Sequence, residues 1–219
     1  MAIAYVNAGT GTGAASGTTM TQTVPASLVN GNLLIAIGCI SNGDTITVSG
    51  TGWSKFGQVS VGSTFTACLA YTIVSGTPPS CVFSWTNTVA NRSIAWQWSG
   101  TAAAPFGASA SNTGSTSTHS NSGITTTADA SVVIYIDGAK ANTALATPAG
   151  WTENSDVGSA TAGMRTTAGL KAVNQGGSAS GAISVTGAAA DWVMWQIELL
   201  IPKPPLKYQL NQAVKRSNL

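Results

Sequence analysis

The sequence predicts an all-β protein: a single jelly-roll-like β-sandwich of about eight main strands, built from two weakly similar units and followed by an extended C-terminal tail. Short runs rich in Val, Ile, Thr and Trp alternate with Gly, Pro and Asn-Gly turn signals, a pattern typical of strands. A chain of 219 residues also suits one shared core better than two small domains of about 70 residues, which would bury little surface. The third observation is an internal repeat.

The repeat relates residues 32–100 to residues 131–199. Each unit opens on an apolar strand, passes a Gly-Trp turn and closes on a Trp-Gln strand: Gly52-Trp53 with Trp96-Gln97, and Gly150-Trp151 with Trp195-Gln196. Trp53 lies 98 positions before Trp151, and Trp96 lies 99 before Trp195. Because this offset is nearly constant, the sequence predicts two similar units packed together.

The predicted organisation has three segments: an irregular lead-in (1–31), the sandwich (32–201), in which a low-complexity loop (101–130) joins the two units, and a Pro-led basic C-terminal arm (202–219). Two short strands are expected in the lead-in, near Ile3–Val6 and Thr19–Val24. The single histidine, His119, lies in the Ser/Thr-rich loop without a second ligand or an orienting carboxylate nearby. We therefore expect it to be a solvated loop residue. The alternative for this tract is an exposed tip or edge segment that meets a neighbouring subunit.

Alternation with a period of two places Ile94, Trp96 and Trp98 on one face of the strand that closes the first unit. The repeat matches them to apolar residues of the second unit, so the tryptophans are predicted to form the core. The three cysteines, Cys39, Cys68 and Cys81, fall inside strand-like runs. Their odd number and apolar surroundings predict reduced core thiols.

Trp192 and Met194 fall on the face opposite this core, where the first unit has small and polar residues. An apolar pair on an otherwise polar face predicts a contact surface, and the two residues are candidates for contacts between subunits. The alternative is that the N-terminal lead-in covers them.

The arm differs in composition from the rest of the chain. It has four basic and no acidic side chains, whereas residues 1–201 have five basic and seven acidic ones. Its prolines predict an extended segment, and Leu206, Leu210 and Val214 recur every four residues, as in a short amphipathic helix. We predict a docking arm for an acidic partner surface, with a disordered tail as the alternative; its candidate binding residues are Pro202, Lys203, Lys207, Tyr208, Leu210, Val214, Lys215 and Arg216.

The sequence offers little chemistry for an enzyme. Gly9 to Ala14 formally fits a dinucleotide-binding motif, but no helical pattern follows it and the next acidic residue is Asp44. No clustered metal ligands, activated serine or pair of carboxylates can be nominated. We therefore expect no enzymatic activity and no cofactor. A slightly acidic body argues against nucleic acid, and no apolar run is long enough for a signal peptide or a membrane helix.

The order of these elements resembles bacteriophage and prophage structural proteins. The resemblance is carried by the apolar strand Leu33–Ile40, Gly52-Trp53, the long strand Phe65–Val74 and the Trp-rich strand Ile94–Trp98, and again by residues 131–201. It implies a virion component made in the host cytoplasm: a capsid decoration (cement) protein, trimeric by preference, whose arm binds the major capsid protein, or else a tail protein. The alternative is a carbohydrate-binding module of a tail fibre, which requires exposed aromatics such as Trp98 or Trp192.

Overall fold

The computed structural model describes residues 2–76, 78, 80–173 and 175–202, which form sixteen strands and no helix. The prediction of an all-β sandwich is confirmed. The first half contains β1 (Ala4–Ala8), β2 (Thr12–Ala14), β3 (Thr19–Gln22), β4 (Leu33–Ile40), β5 (Thr47–Ser49), β6 (Ser54–Val61), β7 (Phe65–Ile73), β8 (Cys81–Ser84) and β9 (Asn91–Ser99). The second half contains β10 (Phe106–Gly114), β11 (Thr118–Asn121), β12 (Val132–Ala139), β13 (Thr152–Ser159), β14 (Met164–Ala172), β15 (Ile183–Thr186) and β16 (Trp192–Leu199).

The strands form two large antiparallel sheets and two small ones. The first large sheet has the order β1-β9-β4-β7-β6, with β2 also paired to β9, and the second has the order β10-β16-β12-β14-β13. A small sheet, β3-β8-β5, belongs to the first half, and another, β11-β15, belongs to the second half. The described chain therefore contains twice the expected number of strands, because each half builds a large and a small sheet of its own.

The large sheets pack face to face, with β4 opposite β12 and β9 opposite β14. Alternate residues of the central strands fill the space between them, including Ile35, Trp96 and Ile134. The other faces of the same strands are covered by the small sheets over two further apolar clusters, one around Phe83 and one around Val185. Because both faces are covered, β4, β12 and β16 are buried along their whole length, as their continuous apolar sequences suggest.

The register of the sheets corrects the alignment of the repeat. Leu33 pairs with Trp98 and Val132 pairs with Leu199, so β4 and β12 are 99 positions apart, whereas β9 and β16 are 101 apart. The sequence repeat matches Gln97 with Gln196, but the residue in the equivalent place is Glu198. The error is two residues, and a shift of two keeps every side chain on the same face of a strand. The predicted core face was therefore right although the alignment was not.

The two short strands expected in the segment 1–31 are present as β1 and β3, whereas the segment 101–130 differs from the expected loop and contains β10 and β11. β1 and β2 pair with β9, and β10 pairs with β16, so the lead-in and the supposed connecting loop each supply strands to a large sheet. β10 is rich in small residues, so its sequence does not look like a strand. At two of its positions neighbouring side chains leave room only for glycine. A Cβ on Gly107 would lie 2.1 Å from the Glu198 carboxylate, and one on Gly114 would lie 2.6 Å from the Trp192 ring.

The cysteine side chains, and the tryptophan side chains apart from Trp192, lie where the sequence predicts them. All seven tryptophans, Trp53, Trp85, Trp96, Trp98, Trp151, Trp192 and Trp195, are buried. Cys39, Cys68 and Cys81 are free and buried, and burial raises the pKa of each thiol well above its usual value. The thiols are therefore protonated core groups of low reactivity.

Candidate interaction site at the root of the C-terminal arm

The segment that leads into the arm is held firmly by the second half. After β16 ends, the Leu200 amide donates to the Pro105 carbonyl at 2.7 Å, and the Ala102 amide donates to the Leu200 carbonyl at 2.7 Å. Two residues later Pro202 is exposed. Of the candidate arm residues only Pro202 is described; Lys203, Lys207, Tyr208, Leu210, Val214, Lys215 and Arg216 lie outside the described residues. The chain is thus fixed by hydrogen bonds up to the point where the arm leaves.

Glu198 reinforces this root from inside the protein. Its fully buried carboxylate accepts hydrogen bonds from the backbone amides of Ala108, Thr127 and Ala128 at 2.9, 2.9 and 3.0 Å, and from the Thr127 hydroxyl at 2.8 Å. Burial alone would raise the pKa of Glu198, but these donors outweigh burial and the pKa falls below its usual value. The carboxylate is therefore ionised and ties β16 to β10 and to the turn before β12. The sequence shows Glu198 only as an acidic residue in the last strand and does not indicate these donors.

An apolar groove of about 370 Å³ adjoins the root. Its walls include Ile3 from the start of the chain, Val132 and Val173 from the ends of two central strands, and Ile201 from the root itself. Ser131 also lines the groove, and its hydroxyl is buried without a hydrogen-bond partner. The groove could hold one or two apolar side chains.

Ala130 gives the groove a strained rim. It lies in the left-handed region at φ 55°, where an alanine side chain crowds the backbone. The residue in the same place of the first half is Gly31 at φ 85°, for which this conformation costs little. In both halves the preceding side chain caps a turn: Asn30 accepts from the Gly76 amide at 2.9 Å, and Asp129 accepts from the Gly176 amide at 2.7 Å. The two turns are built alike, and only the one at the groove has a methyl group.

Trp192 and Met194 do not form the exposed contact surface that the sequence predicts. They are 2% and 0% exposed, because the small sheet formed by β11 and β15 covers this face. His119 of β11 is itself buried, contrary to the expected solvated loop residue, and its ring stacks on Trp192 with centroids 5.0 Å apart. The segment 101–130, which contains β11, thus helps to cover Trp192 and Met194, and the N-terminal lead-in does not. The small residues of this segment did not predict a strand.

His119 also forms a buried pair with Asp137. Its Nδ1 lies 3.1 Å from Asp137 Oδ2, and both residues are 1% exposed. Burial raises the pKa of Asp137, while the hydrogen bond and charge of His119 oppose the change. A general base must reach its substrate, and this pair is enclosed beneath Trp192. We therefore assign it a structural role.

A carbohydrate-binding groove, a metal site and a membrane helix each place a different requirement on the described residues. Trp98 is 0% exposed, so neither it nor Trp192 offers the exposed aromatic surface that a carbohydrate-binding groove requires. Across residues 2–76, 78, 80–173 and 175–202, no three His, Cys, Asp or Glu side chains come together as metal ligands. In the same part of the chain, no helix has the length and apolar character to span a membrane.

The chain matches no protein-family model, no curated protein and no solved structure. Its site must therefore be interpreted from its own geometry.

Proposed function

We propose that this protein is a non-enzymatic structural component of a bacteriophage virion, a capsid decoration protein that binds the major capsid protein through its C-terminal arm and assembles as a homo-oligomer, preferably a trimer. The observation that carries the proposal is the construction of the arm's root. A flexible attachment needs no such support, whereas an arm that transmits load to a rigid body does. Here backbone hydrogen bonds hold Leu200, and the amides of Thr127 and Ala128 hold Glu198 by donating to its buried carboxylate. The exposed Pro202 follows a few residues later.

The distribution of charge supports the same function. The arm carries four basic side chains and no acidic one, for a formal charge of +4, while residues 1–201 have five basic and seven acidic side chains, for −2. Attraction to an acidic shell would therefore act on the arm rather than on the body. The double sandwich would remain on the outer surface of the shell as a rigid, weakly charged knob.

The proposal is tested by deleting residues 202–219 and separating a lysate of producing cells on a density gradient, with immunoblotting for this chain. We expect the full chain to migrate with phage-sized particles and the truncated chain to stay in the soluble fractions. Circular dichroism of both proteins checks that the sandwich still folds. Particle binding by the truncated chain, or a full chain found only in the soluble fractions, would contradict the proposal.

Two further variants divide the arm's contribution. The first replaces Lys203, Lys207, Lys215 and Arg216 with Gln and removes the charge; the second replaces Leu206, Leu210 and Val214 with Ser and removes the apolar side chains. If charge directs binding to the shell, the first variant loses particle binding and binding by the full chain weakens as salt is raised. Unchanged particle binding by the first variant would remove the electrostatic part of the proposal.

A further inference from the structure

We propose that the groove beside the arm's root receives the arm of a second copy of this chain, with Leu206 as the side chain that enters it. The arms would then link neighbouring copies before any shell is present. This inference concerns the contact between copies, for which the structure excludes the predicted residues Trp192 and Met194, since both are buried.

The groove has the features of an unfilled binding site. Most of its lining residues are apolar, and Ser131 beside them has a buried hydroxyl with no hydrogen-bond partner. A buried hydroxyl without a partner costs free energy. A peptide backbone in the groove would supply the missing bond if the Ser131 side chain turned towards it on binding.

Ala130 points to the same conclusion. The equivalent turn in the first half uses Gly31, which has no strain at a positive φ, so the fold itself does not require a methyl group here. In the second half the methyl group is kept despite the strained backbone, and it lies on the groove. Strained residues of this kind concentrate at binding sites. The methyl group extends the apolar wall that an incoming leucine would contact.

The occupant follows from where the arm starts. Ile201 is part of the groove wall, and the sequence continues as Pro202-Lys203-Pro204-Pro205 before the first leucine. A polyproline segment advances about 3.1 Å per residue, so in that conformation the five steps from Ile201 to Leu206 would span roughly 15 Å. A spacer of this length would carry Leu206 beyond its own groove and within reach of a neighbouring copy. Charge agrees, because Lys207 follows Leu206, while Asp129 precedes Ala130 at the rim.

Crosslinking between two differently tagged copies tests the proposal. One copy carries Ala172→Cys, at an exposed residue of the groove wall, and the other carries Leu206→Cys. The purified full-length proteins are mixed and treated with a short bismaleimide. The native cysteines are buried and protonated, so they should react little. We expect a crosslinked pair that contains both tags.

The matched control places the first cysteine elsewhere. Ser63→Cys is an equally small change at an exposed residue of the turn between β6 and β7, remote from the groove, and it should give at least tenfold less mixed product. A chain with both Ala172→Cys and Leu206→Cys distinguishes the alternatives. If that chain crosslinks internally and the mixture gives no pair, the arm fills its own groove and the proposal is wrong; absence of both products also overturns it.

A second measurement uses no cysteine. Light scattering should give a multiple of the chain's mass for the full-length protein and the mass of a single chain for Leu206→Ser, with circular dichroism unchanged. An equal mass for both proteins would contradict the arm's role in linking copies. Both experiments use purified protein without capsids, so they can fail while the gradient experiment succeeds, and the reverse also holds.

Discussion

At the scale of single residues, Ala130 and Gly31 form a natural pair for comparison, because the same turn occurs in both halves with a different residue at the same backbone position. Their φ angles are 55° and 85°, so both lie in the left-handed region. A Cβ on Gly31 would meet no atom within 4 Å. Replacing Gly31 by Ala therefore changes the backbone preference with little change in packing.

We expect Ala130→Gly to raise the free energy of unfolding by about 1 kcal/mol, because glycine relieves the strain of a positive φ. Gly31→Ala should lower it by about the same amount. Urea unfolding of both variants and the unchanged protein measures the two effects. If both variants changed the free energy of unfolding in the same direction, backbone strain would not explain the difference between these two positions.

The buried His119–Asp137 pair likewise has a counterpart in the first half. The residues in these places are Met20 and Gly38, and the Phe83 ring covers Gly38. One half thus fills its outer layer with apolar groups, while the other uses an acid and a base. Either solution keeps the small sheet in place, so the polar pair is not required by the fold as such.

The pair makes stability depend on pH. Burial, reinforced by the charge of Asp156, raises the pKa of Asp137 in the folded protein despite the opposing effect of His119. The folded state then binds this proton more tightly than the unfolded state, for which the pKa is about 3.9. Its contribution to stability is complete below that value and is lost as the pH rises through the higher folded pKa.

Asp137→Asn removes this titration but keeps an acceptor for His119. We expect the stability of Asp137→Asn relative to the unchanged protein to increase as the pH rises from about 4 to 8. Thermal unfolding across this range measures the difference, with Asp191→Asn, at a half-buried position, as the control for loss of a carboxylate. A difference that stays constant with pH would rule out the titration of Asp137 as its source.

At the scale of strands, the sequence predicts best where a strand is apolar on both faces. β4, β7 and β9 carry such runs and lie close to where they are expected. β10 could not be predicted in the same way. Gly107 and Gly114 are poor strand formers, but the Glu198 and Trp192 side chains of the neighbouring strand β16 leave no room for a larger residue at these positions. Composition makes such a strand resemble a loop, and only the three-dimensional neighbours explain it.

The candidate site was equally hard to predict. Glu198 was visible as an acid in a strand, but its donors come from residues 108, 127 and 128, about 70 to 90 positions earlier. The repeat could have located it, had the register been known, since its counterpart Gln97 accepts from the Val29 amide at 3.1 Å. The identical pairs Trp96-Gln97 and Trp195-Gln196 matched better by sequence than Gln97 and Glu198 do, and they gave the wrong alignment.

Glu198→Gln should be strongly destabilising. The amide group has one acceptor oxygen in place of two, so buried backbone donors lose their partner, and we expect a loss of about 2 kcal/mol. The effect should be greatest near neutral pH: the lowered pKa of Glu198 means that its contribution is present above an unfolded value of about 4.3 and is lost as the pH falls through the folded value. Urea unfolding at pH 7 and pH 3 measures both.

Glu153→Gln is the matched control for Glu198→Gln, because the partly exposed Glu153 accepts one long hydrogen bond of 3.4 Å from Thr147. It should change stability by no more than about 0.5 kcal/mol. Equal effects of the two substitutions would show that the buried hydrogen bonds of Glu198 do not hold β10 in place.

At the scale of the whole molecule, the core between the large sheets belongs to both halves. Trp96 and Ile35 of one half lie in the same cluster as Ile134 and Trp195 of the other, and all four are buried. Removing either half would expose this face, which is too large an apolar surface for a soluble monomer. The two halves should therefore unfold together.

We expect the full chain to unfold in one transition when it is followed by tryptophan fluorescence and by far-ultraviolet circular dichroism. Residues 1–100 produced alone should self-associate or precipitate, whereas co-expression with residues 101–219 should yield a soluble complex. Co-purification and light scattering provide the measurement. An isolated half that is monomeric and melts cooperatively would contradict the shared core.

The groove marks the end of the molecule at which the described chain both starts and finishes, because Ala2 and Ile201 both line it. The turn between β6 and β7 lies at the far end of the sheets, where Lys140 donates to the Thr64 carbonyl at 3.0 Å and joins the two halves. Cargo fused ahead of Ala2 would emerge at the same end of the molecule as Ile201 and Pro202. A peptide inserted at Ser63 would instead be displayed a full strand length away from the groove.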